Sequence, residues 1–161
     1  MPPFTALLHT ANAALTLGRA LETLLPCSEI LIVDHQSTDA TVRIAREYCA
    51  RIVSVDNRVE AKLLLEEACH NWIFCLDPSE SLTEALQATL FEWGSLPDFD
   101  GRDEHSFSVF VREQIAVEWH THLSPATRLV PRSWPFWNGF LPTNHPPSVA
   151  LEGALIRPNY P

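Results

Sequence analysis

Short apolar runs alternate with helix-period segments over the first half of the chain. Phe4 to His9 reads as a strand, and Leu17, Leu21, Leu24 and Leu25 then recur at helical spacing up to Pro26. The unit repeats with a strand from Glu29 to Asp34 and a helix whose apolar face is Val42, Ala45 and Cys49. Ile52 to Val55 predicts a third strand, followed by a helix carrying Ala61, Leu64, Leu65 and Ala68 on one face. Trp72 to Asp77 predicts a fourth strand, and Ser81 with Glu84 would form a capping box ahead of Leu82, Leu86, Leu90 and Trp93. Such alternation implies a parallel sheet joined by right-handed crossovers.

The pattern then changes. Gly94 to His105 is acidic and turn-rich and reads as a loop, while Ser106 to Val111 and Thr127 to Val130 read as further strands. Pro131, Pro135, Pro142, Pro146 and Pro147 exclude a long helix from the last third. Trp134, Phe136 and Trp137 are expected to pack on the sheet, the alternative being an apolar or sugar-stacking wall.

At 161 residues and 46% hydrophobic, the chain supports one sizeable core, so residues 1–161 are expected to form a single α/β domain. The net charge of -9 and the lack of Lys/Arg clusters exclude a nucleic-acid partner. Met1-Pro2-Pro3-Phe4 lacks the features of a signal peptide and no run is long enough for a transmembrane segment, from which a cytoplasmic protein is expected. Cys27, Cys49, Cys69 and Cys75 show no CxxC spacing and are expected to be buried free thiols.

The chemistry concentrates where the second strand ends. The run Ile30-Leu31-Ile32-Val33 stops at the carboxylate of Asp34, and Ser37 or Thr38 would cap the helix that follows, with Asp39 suiting its positive end. Open parallel sheets bind ligands in the crevice beyond such strand ends.

The stretch Val33-Asp34-His35-Gln36-Ser37-Thr38-Asp39-Ala40-Thr41 resembles the family-2 glycosyltransferases, which carry Val-Asp, one or two variable residues and Ser-Thr-Asp-x-Thr. Leu7-Leu8-His9-Thr10-Ala11-Asn12, Ala50-Arg51-Ile52-Val53 and Trp72-Ile73-Phe74-Cys75-Leu76-Asp77-Pro78-Ser79-Glu80 follow in the family's order. The nearest likeness is to the branch that builds lipopolysaccharide cores, where the last stretch usually reads Asp-Ala-Asp-Glu. The resemblance covers residues 4–93, which would be the nucleotide-binding half. Residues 94–161 would form a short, Pro/Trp-rich acceptor-side half.

The resemblance implies a GT-A type domain with a mostly parallel sheet flanked by helices. It also implies a protein that binds a nucleotide-diphosphate sugar and transfers the sugar to a saccharide or lipid-linked acceptor. Asp34 would bind the base with Thr10 and Asn12 beside it, and Lys62 would lie near a phosphate. Asp77 would contact the nucleotide and, with Glu80, hold a divalent magnesium or manganese ion, although Ser79 stands where the family has its second, metal-holding Asp. The family's Asn-Glu appears as Asn12-Ala13, and its later His-Glu aligns with His145-Pro146. No catalytic base is identified, and Glu152, Asp103 and His145 are the candidates. His120 and His122 would share a strand face, where surface histidines are expected because zinc needs a third ligand. The missing acids support a second reading, a catalytically degenerate nucleotide-sugar-binding or scaffolding module.

Overall fold

The computed structural model of the chain describes residues 4–56, 61–94 and 105–159. Strand β1 (Phe4–Thr10) is buried along its whole length because it has hydrogen-bonded neighbours on both edges and packed layers on both faces. Those neighbours are β2 (Glu29–Asp34) and β4 (Trp72–Cys75), and β3 (Arg51–Ser54) lies outside β2. These strands run parallel, so their carboxyl ends share one edge. The chain moves outward from β1 through β2 to β3 and then returns to the other side of β1 as β4. Crossovers that reverse direction in this way leave a crevice at the carboxyl edge.

Side-chain alternation divides the core in two. Phe4, Ala6 and Leu8, with Ile32 and Phe74, lie beneath helices α1 (Ala14–Glu22), α2 (Thr41–Glu47) and α3 (Glu84–Gly94). Leu7, Leu31, Val33, Ile73 and Cys75 face the other way, under Leu64, Leu65 and Trp134. Each fully buried Leu here contributes about 1.5–3 kcal/mol. The segment expected as a third α-helix is a 3-10 helix, Ala61–Glu67. Residues i and i+3 eclipse in that geometry, so Leu65 and Ala68 fall on one side.

The second half adds β5 (Ser81–Leu82), β6 (Ser106–Ile115), β7 (Glu118–Thr121), β8 (Ala126–Pro131), β9 (Trp137–Asn138), β10 (Leu141–Pro142) and β11 (Ser148–Arg157). The main sheet runs β3-β2-β1-β4-β8-β6-β11-β5, with β7 extending from β6, and β9 and β10 form a separate hairpin. Because β8 is antiparallel to both β4 and β6, the sheet is mixed and is parallel only over its first four strands and at the β6/β11 pair. Tight returns between β6, β7 and β8 replace the helical crossovers that enforce parallel order.

Two local expectations are corrected and one strand is added. Ser81 enters the sheet opposite Ile156, so Thr83 caps α3 by accepting the Leu86 N–H at 3.2 Å. Strand β11 was not legible because Gly153 interrupts its apolar alternation, and it carries a bulge between Ala150 and Ala154. Of the cysteines, all free, Cys75 is buried, Cys27 is half-buried, and Cys49 and Cys69 are exposed. Burial pushes the Cys75 thiol up to about 12.

Gly153 adopts φ +97°, and a Cβ there would lie 2.3 Å from the Leu86 backbone nitrogen. Gly153→Ala is therefore expected to lower unfolding free energy by about 2–4 kcal/mol, combining backbone strain with overpacking. Urea denaturation of the two proteins measures this directly.

Candidate nucleotide site

The β1/β2 register sets Thr10 against Asp34 at the crevice edge. The Thr10 hydroxyl donates to Asp34 Oδ1 at 2.8 Å, and the Ser37 hydroxyl donates to the same oxygen at 2.6 Å. The Ser37 N–H donates to Oδ2 at 3.0 Å, closing an Asx turn in which Gln36 has φ 58°. Asp34 is 3% exposed. A carboxylate has about four acceptor positions, so these donors leave room for one more.

Asn12, left-handed at φ 52°, binds the same loop from β1. Its Oδ1 accepts the Thr38 N–H at 2.8 Å and the Asp39 N–H at 3.3 Å, and its own N–H donates to Ser37 Oγ at 2.9 Å. Asp39 accepts the Thr41 N–H at 2.9 Å, the Thr41 hydroxyl, and the Ala14 N–H at 3.1 Å. Thr41 Oγ1 in turn accepts the Ala13 N–H at 2.9 Å. The Ser-Thr-Asp-x-Thr run thus joins the starts of α1 and α2. Neither Ser37 nor Thr38 caps α2, which begins at Thr41 after Ala40. The Thr41 hydroxyl, with the N–H groups, holds the Asp39 carboxyl below the usual range.

Asp77 follows β4 and is half-buried, with Oδ1 accepting the Ser79 N–H and hydroxyl. Its N–H donates to Glu80 Oε1 at 2.9 Å. Glu80 is corrected as a metal ligand. It is 1% exposed, and its oxygens receive the two Arg128 guanidinium nitrogens at 2.6 and 3.0 Å and Arg157 Nη2 at 3.2 Å. Asp77 Oδ2 is then the one carboxylate oxygen of the expected pair that takes no hydrogen bond among the described residues. No group of three or more His, Cys, Asp or Glu side chains there has metal-binding geometry. A hard cation needs six or more oxygens, so this donor set does not fit an ion held by protein alone. The sequence reading missed Arg128 and Arg157. The available signal was an Arg inside the apolar run Thr127-Arg128-Leu129-Val130, since buried guanidinium groups require partners.

The remaining candidates do not converge on this edge. Glu152 is an exposed residue of β11, and β4, β8 and β6 separate that strand from β1, about 19 Å at the usual strand spacing. His145 is exposed and stacks on Phe136 at 4.0 Å. Trp134 is buried as expected, Phe136 is partly exposed, and Trp137 donates to the Trp134 carbonyl at 2.6 Å. Lys62 lies in the 3-10 helix, but its side chain is outside the described residues, as is all of Asp103. His120 and His122 are exposed beside Glu118 and Glu113 respectively.

A histidine pair not anticipated from sequence occupies the opposite face of the same strand ends. His9 Nδ1 and His35 Nε2 lie 2.9 Å apart, both residues being less than a tenth exposed. Burial, reinforced by His35, lowers the His9 pKa to about 4. Phe140, at the tip of the β9–β10 hairpin, stacks on His9 at 4.2 Å and an interplanar angle of 9°.

Two outcomes are expected. Glu80→Gln should destabilise the fold by about 3–5 kcal/mol, because it leaves two arginines around a neutral group, as denaturant titration would show. His9 favours its neutral form when folded, so the unfolded chain takes up the proton first on acidification. Its contribution, about 3 kcal/mol, should be complete above pH 6.5 and lost as pH falls to about 4. His9→Gln should flatten that part of the stability profile.

No protein-family profile matches the chain. The chain is 33% identical over 98 residues to the lipopolysaccharide core biosynthesis glycosyltransferase LpsC of Rhizobium meliloti, covering 56% of this chain and 36% of that protein. It thus spans about a third of the length of that relative. Among solved structures, a mycobacterial protein superposes with a TM-score of 0.62 at 18% identity, over 99% of this chain and 68% of that one. Glucosyl-3-phosphoglycerate synthase from Mycobacterium tuberculosis, in complex with Mn2+, UDP and glucosyl-3-phosphoglycerate, superposes with a TM-score of 0.58 at 18% identity, over 99% and 73% of the two chains. By sequence this chain is a relative of glycosyltransferases, a lipopolysaccharide core enzyme among them, and by fold it is a GT-A type α/β protein.

Proposed function

We propose that the crevice at the carboxyl ends of β1, β2 and β4 binds a nucleotide-diphosphate sugar for transfer to a saccharide or lipid-linked acceptor. The Asp34 cluster carries this reading. A carboxylate fixed by Thr10 and Ser37 at the point where the crossovers reverse has one acceptor position left for a base imino hydrogen. Thr10 and Asn12 act by holding Asp34 and its loop. Asp77 lies at the end of β4, on the other side of β1, suited to the ribose or diphosphate, and Lys62 is assigned to a phosphate by resemblance alone. LpsC, named for lipopolysaccharide core biosynthesis, supports an envelope saccharide as acceptor. No helix among the described residues is long and apolar enough to cross a membrane. A cytoplasmic location belongs to this proposal.

The second reading, a nucleotide-sugar-binding module without turnover, draws on the same site. Ser79, Ala13 and Pro146 stand where acids are expected, and Glu80 is locked in an ion pair. Without a positioned base, transfer is expected to fall by about 10²–10⁴.

Calorimetric titration with uridine, guanosine and thymidine diphosphates, with and without manganese, separates these readings from no function at this edge. One diphosphate should bind, Asp34→Asn should weaken it roughly tenfold or more, and manganese alone should not bind. Unchanged affinity in a folded Asp34→Asn protein would remove Asp34 from the site. Transfer above background to a simple saccharide would exclude the non-catalytic reading.

A further inference from the structure

We propose that the β6–β7 hairpin is a docking edge for a second copy of this chain, whose own β7 pairs antiparallel to it across a two-fold axis at Trp119. The association does not depend on what the crevice binds.

The ladder leaves this edge open. Along β6, β11 occupies one side as far as Glu113, so β8 and β7 lie in line on the other. The His122 N–H donates to the Val111 carbonyl at 2.9 Å. Opposed residues in an antiparallel pair alternate between bonded and non-bonded. His120 and Glu118 therefore turn their peptide groups to Glu113 and Ile115, while Trp119 and Thr121 turn theirs outward. Among the described residues β7 pairs with β6 alone, and all four of its residues are exposed. The strand has neither a proline nor a bulge to blunt it, so the outward groups can accept another strand. Ile115, Val117 and Leu123 beside it are 58%, 86% and 100% exposed, apolar surface that a partner would cover.

The charges on β7 select a second copy as that partner. With Trp119 bonded to its own counterpart on the axis, Glu118 of each chain lies opposite His120 of the other, twice by symmetry. Those are non-bonded pairs, in which side chains approach most closely. An imidazole N–H, charged or neutral, donates to a carboxylate. Glu118 and His120 already share one face, with Oε2 and Nε2 3.7 Å apart, so the dimer would hold two carboxylates and two imidazoles in alternation. An axis at Glu118 or at His120 would set like groups against each other, and an axis at Thr121 would set His120 against His122. Charge complementarity thus picks one register. On the other face the two Trp119 rings become cross-strand neighbours, each with Arg112 over it at 5.8 Å.

Sedimentation velocity over a concentration series tests this on the wild type, His120→Lys, His120→Glu and Thr121→Pro. The wild type should show a monomer–dimer equilibrium. His120→Lys places a fixed positive charge opposite Glu118 and should tighten the dimer by about 3- to 10-fold, whereas His120→Glu should weaken it by about 10-fold. Thr121→Pro removes an outward N–H that β6 does not use, and should weaken the dimer while the unfolding curve stays close to that of the wild type. Wild type and His120→Lys both monomeric at every concentration would overturn the proposal. Monomers that instead co-sediment with phosphatidylcholine vesicles would also overturn it and give the apolar hairpin to a membrane. A dimer that none of the three substitutions alters would overturn this edge as the contact, and a dimer weakened by His120→Lys would overturn the axis at Trp119.

Discussion

Glu80 is a charge in a place where water cannot reach it, and much of the second half of the structure is arranged to keep it paired. A buried carboxylate is tolerated only with strong, well-aligned partners. Arg128 supplies a two-pronged contact from the middle of β8, and Arg157 a second from the end of β11. For both to reach the turn after β4, β8 must lie directly beside β4, and the carboxyl end of β11 must come back to the same edge. The antiparallel β4/β8 pair and the parallel β6/β11 pair meet those conditions. Glu80 also accepts the Asp77 N–H, so the same ion pair sets the backbone that presents Asp77.

The edge formed by β1 and β2 works by a different economy of bonds. Nearly every polar group of the Ser-Thr-Asp-x-Thr run is used inside the protein, joining the first turns of α1 and α2 to the strand ends. Asp34 itself is mostly satisfied by its own turn. A ligand at this edge would therefore meet a rigid, pre-formed rim with few open hydrogen-bonding positions, which favours one orientation over many. Glu80, by contrast, is withdrawn from this edge into its ion pair with Arg128 and Arg157.

The two faces of those strand ends differ in kind. Toward the helices, hydroxyls and carboxylates make short contacts that leave one acceptor position open on Asp34. Toward the hairpin, two imidazoles and a phenyl ring form a stack in which His9 Nε2 has no hydrogen-bond partner among the described residues. Period-two alternation along β1 produces this division, sending Thr10 to one face and His9 to the other.

Apart from the short strand β5 and the 3-10 geometry of Ala61–Glu67, the order of strands and helices from Phe4 to Trp93 was legible in the amino-acid sequence, because the buried strands are apolar runs and the α-helices carry 3.6-residue stripes. The cluster of Thr10, Asn12 and Asp34 was legible for a related reason: parallel strands that start level end level, so residues closing adjacent apolar runs share an edge. Other features depend on contacts between distant segments, which local periodicity does not encode. Ser81 could have capped a helix, but pairing with β11 drew it into the sheet. Glu80 had the composition of a metal ligand until Arg128 and Arg157, 48 and 77 residues away, closed on it. His9 and His35 are single polar residues at the ends of apolar runs, with nothing in their spacing to mark a pair. Parallel register alone set them ring to ring, and the return of a Pro-rich hairpin laid Phe140 across them, because burying aromatic surface outweighs the weak local preferences of such a segment.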